Sequence, residues 1–392
     1  MNRGATPVAL AIAACGAGWE PAALAEIERA ADLELVRRCV DVADLLATAQ
    51  THRIDAALVA ADAPGLDAGV VDRLADAGVA TWTLDTGTTS HERQRSIGRP
   101  VRLGALAAIA SAGTIEAPAT AAGPAGVLVA VWGPTGAPGR STLAVSVAAA
   151  AAARGRTTAL VDADVHGGSI AQLLGILDDV SGVMAACRDA NRGAGQAAHD
   201  HLLAVGPGLH VMTGIPRADM WHHLRPAAFE SVLRRLLDGH DLVVVDCSFG
   251  ADDGPPGGPW PDHVTRRVLD LADEVVVVGS ADPVGLARLV RAVSDAGWLR
   301  APRIVLNRWR PALGWTEREV ASMVHEVTGT APWGFLPHDQ AAHDQAVMHG
   351  RPVRDVAPAS GYVSRVDRLA AELAAPAPGV RPGPASAAPA PR

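Results

Sequence analysis

The chain has 392 residues, 49% of them apolar and 19% charged, with 42 acidic against 34 basic side chains for a net charge of -8. That length suits two or three domains with ample core, and the composition excludes wholesale disorder. The acidic balance argues against a nucleic-acid coat, which leaves a basic excess or patch. Lysine is absent, so every basic side chain is an arginine.

Along the chain, Arg3 followed by the apolar run 8–15 has the outline of a short secretion leader. A helical pattern over 21–31 follows at once, and a first β-strand accounts for the same residues, so a cytoplasmic location is expected. Strand patterns at 8–14, 34–40, 55–60 and 79–84 alternate with helical patterns at 21–31, 42–52 and 66–77. This βαβα rhythm implies a parallel sheet with helices on both faces, over a first domain of residues 1–110. Residues 111–125, rich in Ala, Gly, Pro and Thr, read as a linker.

A larger α/β domain is expected over 126–374. Its strands are the apolar runs 127–132, 158–161, 209–212, 242–245, 274–278, 303–306 and 334–336. Near-continuous apolar strands of this kind are buried on both faces, as in a mainly parallel, doubly wound sheet. Pro226 suits the first turn of a helix and Gly239 its exit, while Thr316 and Glu319 form a capping-box pair. Residues 375–392, Pro/Ala/Gly-rich, are expected to be disordered. No apolar run reaches the roughly 18 residues of a membrane span.

The strongest chemical signal follows the strand 127–132. Residues 133–142 read Gly-Pro-Thr-Gly-Ala-Pro-Gly-Arg-Ser-Thr and pass into an alanine-rich helix. Strand, glycine-rich turn and helix form the context of a phosphate-binding loop, whose backbone N–H groups and helix N-terminus face an anion. Gly136, Ala137, Pro138, Gly139, Arg140, Ser141 and Thr142 are therefore candidate nucleotide contacts, with Ser141 presenting its hydroxyl to Mg²⁺ and Thr142 reaching the α-phosphate. The loop departs from GxxxxGK[ST] twice: Pro134 takes the first glycine position and Arg140 the lysine position. A planar guanidinium does not replace a compact ammonium at a tight site. The alternative is a degenerate loop kept as a tight turn.

Acids follow at strand tips. Asp162 and Asp164, at i and i+2, fall on one side of their strand at its carboxyl end, where an α/β sheet opens its ligand crevice. Asp162 is placed to order Mg²⁺-bound water and Asp164 to orient an attacking water. Asp246 closes the apolar strand 242–245 as a further Mg²⁺ anchor.

Taken together, residues 133–142, 161–168, 243–250, 275–286, 304–309 and 335–340 resemble the MinD/ParA family of deviant P-loop ATPases, over about 126–374. The variant most similar in layout is the CpaE/TadZ branch, in which a receiver-like domain precedes the ATPase domain. The resemblance implies ATP or ADP with Mg²⁺, a nucleotide-sandwich homodimer, and a role in positioning cellular machinery such as Flp/Tad pilus assembly or another septum- or pole-localised system. It places Asn307 and Pro337 near the adenine and matches Asp246 to the family's Walker B acid. The family's signature lysine falls at Thr135, which puts closure and turnover in doubt, so weak ATPase or pseudo-ATPase are the expected activities. A nucleotide-independent adaptor and a chromosome- or plasmid-partitioning ATPase are the alternatives. Residues 375–392 lack an amphipathic basic helix, so contact with the inner face of the membrane is expected only through partners.

The first domain resembles a receiver that has lost its chemistry. Ala13-Ala14-Cys15-Gly16 stands where an acidic pair is needed, Ala60 or Asp62 near the acceptor position, and the receiver lysine is missing. A docking or dimerisation role is expected. The histidines at 199–201, 222–223, 338 and 343 lack metal-ligand spacing, and the scattered Cys15, Cys39, Cys187 and Cys247 fit buried thiols.

Overall fold

Two sheets carry the chain. The computed structural model describes residues 7–60, 63–66, 68–85, 99–102, 105–106, 109, 126–137, 139–177, 180–192, 195–252, 260–299 and 301–373. The expected linker 111–125, the tail 375–392, Asp62 and Pro138 lie outside these residues.

The first sheet has five parallel strands: β1 (Val8–Ala13), β2 (Leu33–Arg38), β3 (Ala56–Ala60), β4 (Ala80–Asp85) and β5 (Arg99–Arg102). Their order, β2-β1-β3-β4-β5, is the flavodoxin-like one. Strand alternation divides its core. Ala11, Ala13, Ala57 and Val59 pack with Val42 and Leu45 of α2 (Val42–Thr51) and Val70 and Leu74 of α3 (Ala68–Asp76). Leu10, Ile12, Leu58 and Leu84 face Ala23 and Ile27 of α1 (Glu20–Arg29). Asp41 caps α2, accepting a hydrogen bond from the Asp44 amide at 2.8 Å. β5 has the sequence Arg-Pro-Val-Arg and, among the described residues, pairs only with β4. Its sequence carries no alternation, and an edge strand is where proline is tolerated.

The second sheet has eight strands: β6 (Val127–Trp132), β7 (Thr158–Ala163), β8 (Leu203–Gly206), β9 (Leu209–Met212), β10 (Leu242–Cys247), β11 (Glu274–Ser280), β12 (Arg303–Trp309) and β13 (Gly334–Pro337). The order is β13-β12-β11-β6-β10-β7-β9-β8, parallel except for β8. β8 was not expected; it is four residues long and folds back on β9 through a turn whose Gly208 has φ 70°.

Helices α4 (Arg140–Ala152), α5 (Gly182–Asn191), α6 (Pro226–Gly239), α7 (His263–Leu271), α8 (Pro283–Asp295), α9 (Glu317–Thr328), α10 (Gln340–His349) and α11 (Gly361–Leu373) flank this sheet. α6 starts and stops at the expected Pro226 and Gly239, and α9 opens with the Thr316–Glu319 capping box. α4 is buried along residues 143–151, as an alanine-rich helix must be when it lies between a sheet and another helix. Its outer neighbour is α11, where buried Tyr362 donates its hydroxyl to Ser146 at 3.3 Å. No helix among the described residues is long and apolar enough to cross a membrane.

Candidate functional site

β6 lies between β10 and β11. The chain leaves β6 to build one side of the sheet first and the other side later, so the carboxyl end of β6 is the topological switch point, where such sheets bind ligands. Residues 133–137 and Gly139 cross it. Gly133 packs so closely on β11 that a Cβ would sit 2.3 Å from the Val278 carbonyl oxygen. Gly139 has φ 94°, and its Cβ would sit 2.2 Å from Asn307 Nδ2. A side chain fits at neither position. The Ala137 amide closes the turn on the Pro134 carbonyl at 2.9 Å.

Gly139 is also the N-cap of α4, and no side chain caps the helix. The first-turn amides of Arg140, Ser141 and Thr142 therefore have neither an intrahelical acceptor nor a capping oxygen. Together with the positive end of the helix they form an anion cradle.

Beneath this cradle the structure collects the acids. Leu160 of β7 and Val244 of β10 belong to the core under α4. Two residues further on, Asp162 and Asp246 continue the same face, opposite one another in register. Asp246 is 0% exposed, Asp162 2% and Asp164 5%. Among the described residues neither oxygen of Asp246 has a hydrogen-bond partner. Burial, then the neighbouring charge of Asp162, raises its pKa well above the usual carboxylate range. The nearby Ser141 hydroxyl opposes that rise without reaching normal hydrogen-bond geometry.

Asp162 is better satisfied. Its oxygens accept from the amides of Asp164 at 3.2 Å and Ile170 at 3.1 Å, yet burial still pushes its pKa up to about 7. Gly168 and Gly214 wall it in; a Cβ at Gly168 would sit 2.8 Å from its oxygen and one at Gly214 2.7 Å from its carboxyl carbon. Asp164 accepts from the amides of His166 at 2.9 Å and Gly167 at 3.1 Å. Its second oxygen meets Arg140.

The Arg140 guanidinium folds back over the loop. It donates to the Gly133 carbonyl at 2.8 Å and to Asp164 at 3.4 Å. In this state both groups are engaged with each other, so neither the phosphate contact expected of Arg140 nor the water-orienting role expected of Asp164 is displayed. Asn307, at the end of β12, lies against Gly139 of the loop. Pro337 ends β13, opposite Trp309 in register and three strands from β6.

Among the described residues no trio of His, Cys, Asp or Glu is arranged to hold a metal by itself. The set Ser141, Asp162 and Asp246 nevertheless fits a hard divalent cation. It offers oxygen ligands only, and one buried carboxylate in it lacks any donor, an arrangement costly without a counter-charge.

A family model described as ParA, NUBPL iron-transfer P-loop NTPase, matches residues 126–191. The curated proteins contain no match. Among solved structures, the ParA family ATPase from Chlorobium tepidum superposes with a TM-score of 0.54 at 18% identity, covering 63% of this chain and 98% of that one. The larger sheet and its helices have the ParA/MinD P-loop NTPase fold. The cell division ATPase MinD of Pyrococcus furiosus gives 0.50 at 20% identity, over 63% of this chain and 98% of that one. The MinC:MinD cell division complex of Aquifex aeolicus gives 0.50 at 15%, over 65% and 98%.

Within this ParA/MinD-type fold the structure shows contacts of residues to which the sequence assigned no role. His166 stacks on Phe249 with ring centroids 4.8 Å apart and pairs with Asp262 at 2.8 Å. The Phe249 carbonyl accepts from Trp132 Nε1 at 3.1 Å. These contacts join the segment after Asp164 to the segment after Asp246. They link positions far apart in sequence, so no local motif announces them. Two of the histidines without metal-ligand spacing have packing partners: His199 stacks on the buried ring of His240, and His201 pairs with Asp189 at 2.9 Å.

Proposed function

We propose that this chain is an atypical MinD/ParA-type protein that binds ATP and ADP with Mg²⁺ at residues 136–142 and uses the bound state to position cellular machinery. The observation that carries this reading is the partnerless Asp246 carboxylate lying below the uncapped first turn of α4. An anion cradle directly above buried acids is suited to a phosphate chain with its cation and costly without one. In the proposal, the amides of Gly136 and of Gly139 to Thr142 hold the phosphates. Ser141, Asp162 and Asp246 hold Mg²⁺, which neutralises phosphate charge when bound. Asn307 and Pro337 flank the base. Asp164 orients water once Arg140 releases it, and Arg140 turns toward the phosphates. With no lysine at positions 135 or 140, turnover is weak or absent.

The finer reading is a CpaE/TadZ-like protein acting in Flp/Tad pilus assembly or a related polar or septal system. Residues 1–110 then serve as a pseudo-receiver for docking and 126–374 as the nucleotide-dependent unit. The chain forms a homodimer in the cytoplasm and is recruited to the membrane by partners. A second reading is favoured by the Arg140 contacts with Gly133 and Asp164: an adaptor whose loop stays closed and takes no nucleotide.

Calorimetric titration separates the two. The nucleotide reading expects micromolar ATP affinity that weakens at least tenfold when Mg²⁺ is removed, and an Asp246→Asn variant indifferent to Mg²⁺. Affinity no tighter than millimolar for both ATP and ADP assigns the chain to the adaptor class.

A further inference from the structure

Beside the loop, on the β11–β12 side, lies a cavity of about 290 Å³ whose lining includes Gly136, Asp282, Arg288, Arg308 and Arg310. It opens onto the same Gly136 that forms the outer part of the phosphate loop. Arg288, on α8, reaches that glycine: a Cβ there would sit 2.2 Å from Arg288 Nη1. Arg308 lies near the end of β12, within a register shift between Leu306 and Trp309, and Arg310 follows the strand directly.

All three arginines are exposed, and no guanidinium among them takes part in an ion pair or hydrogen bond with the described residues. The one acid in the lining does not balance them. Asp282 caps α8, accepting from the amides of Val284 at 3.1 Å and Gly285 at 3.0 Å and from the Ser280 hydroxyl. Three guanidinium groups thus converge on one cavity with no carboxylate paired to them. Arg140, by contrast, is committed to Gly133 and Asp164.

Guanidinium forks match the tetrahedral oxygens of a phosphate and bind them in pairs. A phosphate chain whose inner groups lie on the amides of 139–142 extends its outer end toward Gly136. We propose that Arg288, with Arg308 and Arg310, receives the terminal phosphate of a polyphosphate chain, and so supplies from α8 and β12 the positive charge that a lysine-free loop lacks. The inference rests on the nucleotide reading above and deepens it. The cavity makes the site discriminate nucleoside triphosphate from diphosphate, because only the former reaches it.

The test is calorimetric titration of the full chain with Mg·ATP, Mg·ADP and inorganic tripolyphosphate. Wild type is compared with Arg288→Ala, Arg288→Lys and the Arg308→Ala/Arg310→Ala pair, each checked for wild-type thermal unfolding. The expected result is ATP affinity at least tenfold weaker in Arg288→Ala, ADP affinity within twofold of wild type, and partial recovery in Arg288→Lys. Equal effects on ATP and ADP, or none on either, overturn the proposal. If wild type binds neither nucleotide, the nucleotide reading fails on its own. Tripolyphosphate then decides: binding lost in Arg288→Ala keeps the arginines as a phosphate site, and no binding removes them too.

Discussion

Asp246 concentrates the physical tension of the molecule in one side chain. Its carboxyl is fully buried, faces Asp162 and has no donor in hydrogen-bond geometry among the described residues. With the folded-state pKa values of Asp162 and Asp246 both raised, the folded chain holds protons that the unfolded chain releases. The ligand-free protein therefore loses stability as pH climbs from about 4 through about 7. Asp246→Asn relieves the buried charge; it should stabilise the ligand-free protein by about 1–3 kcal/mol, with a gap over wild type that widens as pH rises. Denaturant titrations at pH 5 and pH 8 check this, and a variant less stable than wild type at pH 8 contradicts it. A second expectation at this scale concerns missing ammonium groups at two positions. Arg140→Lys combined with Thr135→Lys frees Asp164 and adds compact charge at the loop, so ATP turnover should rise about tenfold or more. A folded double variant with unchanged phosphate release places the limit elsewhere.

Among the elements, the loop and α4 depend on glycines that nothing else replaces. Gly139→Ala forces an alanine into φ 94° and against the Asn307 amide, a strain of about 1–3 kcal/mol; urea unfolding measures it, and a neutral result means that the turn is not held as described. On the outer side of α4, Tyr362→Ala removes a fully buried ring and its bond to Ser146. The loss expected from such truncations is about 3–5 kcal/mol, read by the same method. The elements were legible where chemistry is local. The apolar runs of β6, β7 and β10 and the proline and glycine bounding α6 act through nearest neighbours along the chain. β5 was not legible, because Arg-Pro-Val-Arg becomes a strand only through pairing with β4. β7, β10 and β12 each run past their apolar stretch, through Asp162, Asp246 and Asn307. Polar residues broke the pattern at those ends, and those ends build the site.

At the scale of the whole molecule, the flavodoxin-like sheet and the ParA/MinD-type sheet bury separate cores. The loop sequence and the order of the acids were enough to locate the candidate site. The fold-back of Arg140, the lack of a donor for Asp246 and the convergence of Arg288, Arg308 and Arg310 were not legible, since each depends on distances between segments remote in sequence. If nucleotide closes two copies over the loop, Mg·ATP should shift the mass seen by light scattering from one chain to two, and an unchanged mass counts against the dimer. Phosphate must be held by the main-chain amides of 136, 137 and 139–142 in a chain without lysine. Amide hydrogen exchange over that segment, with and without Mg·ATP, tests it most directly. The amides of Gly136 and of Gly139 to Thr142 should become protected when nucleotide is added; exchange unchanged at saturating Mg·ATP rules out a phosphate held there.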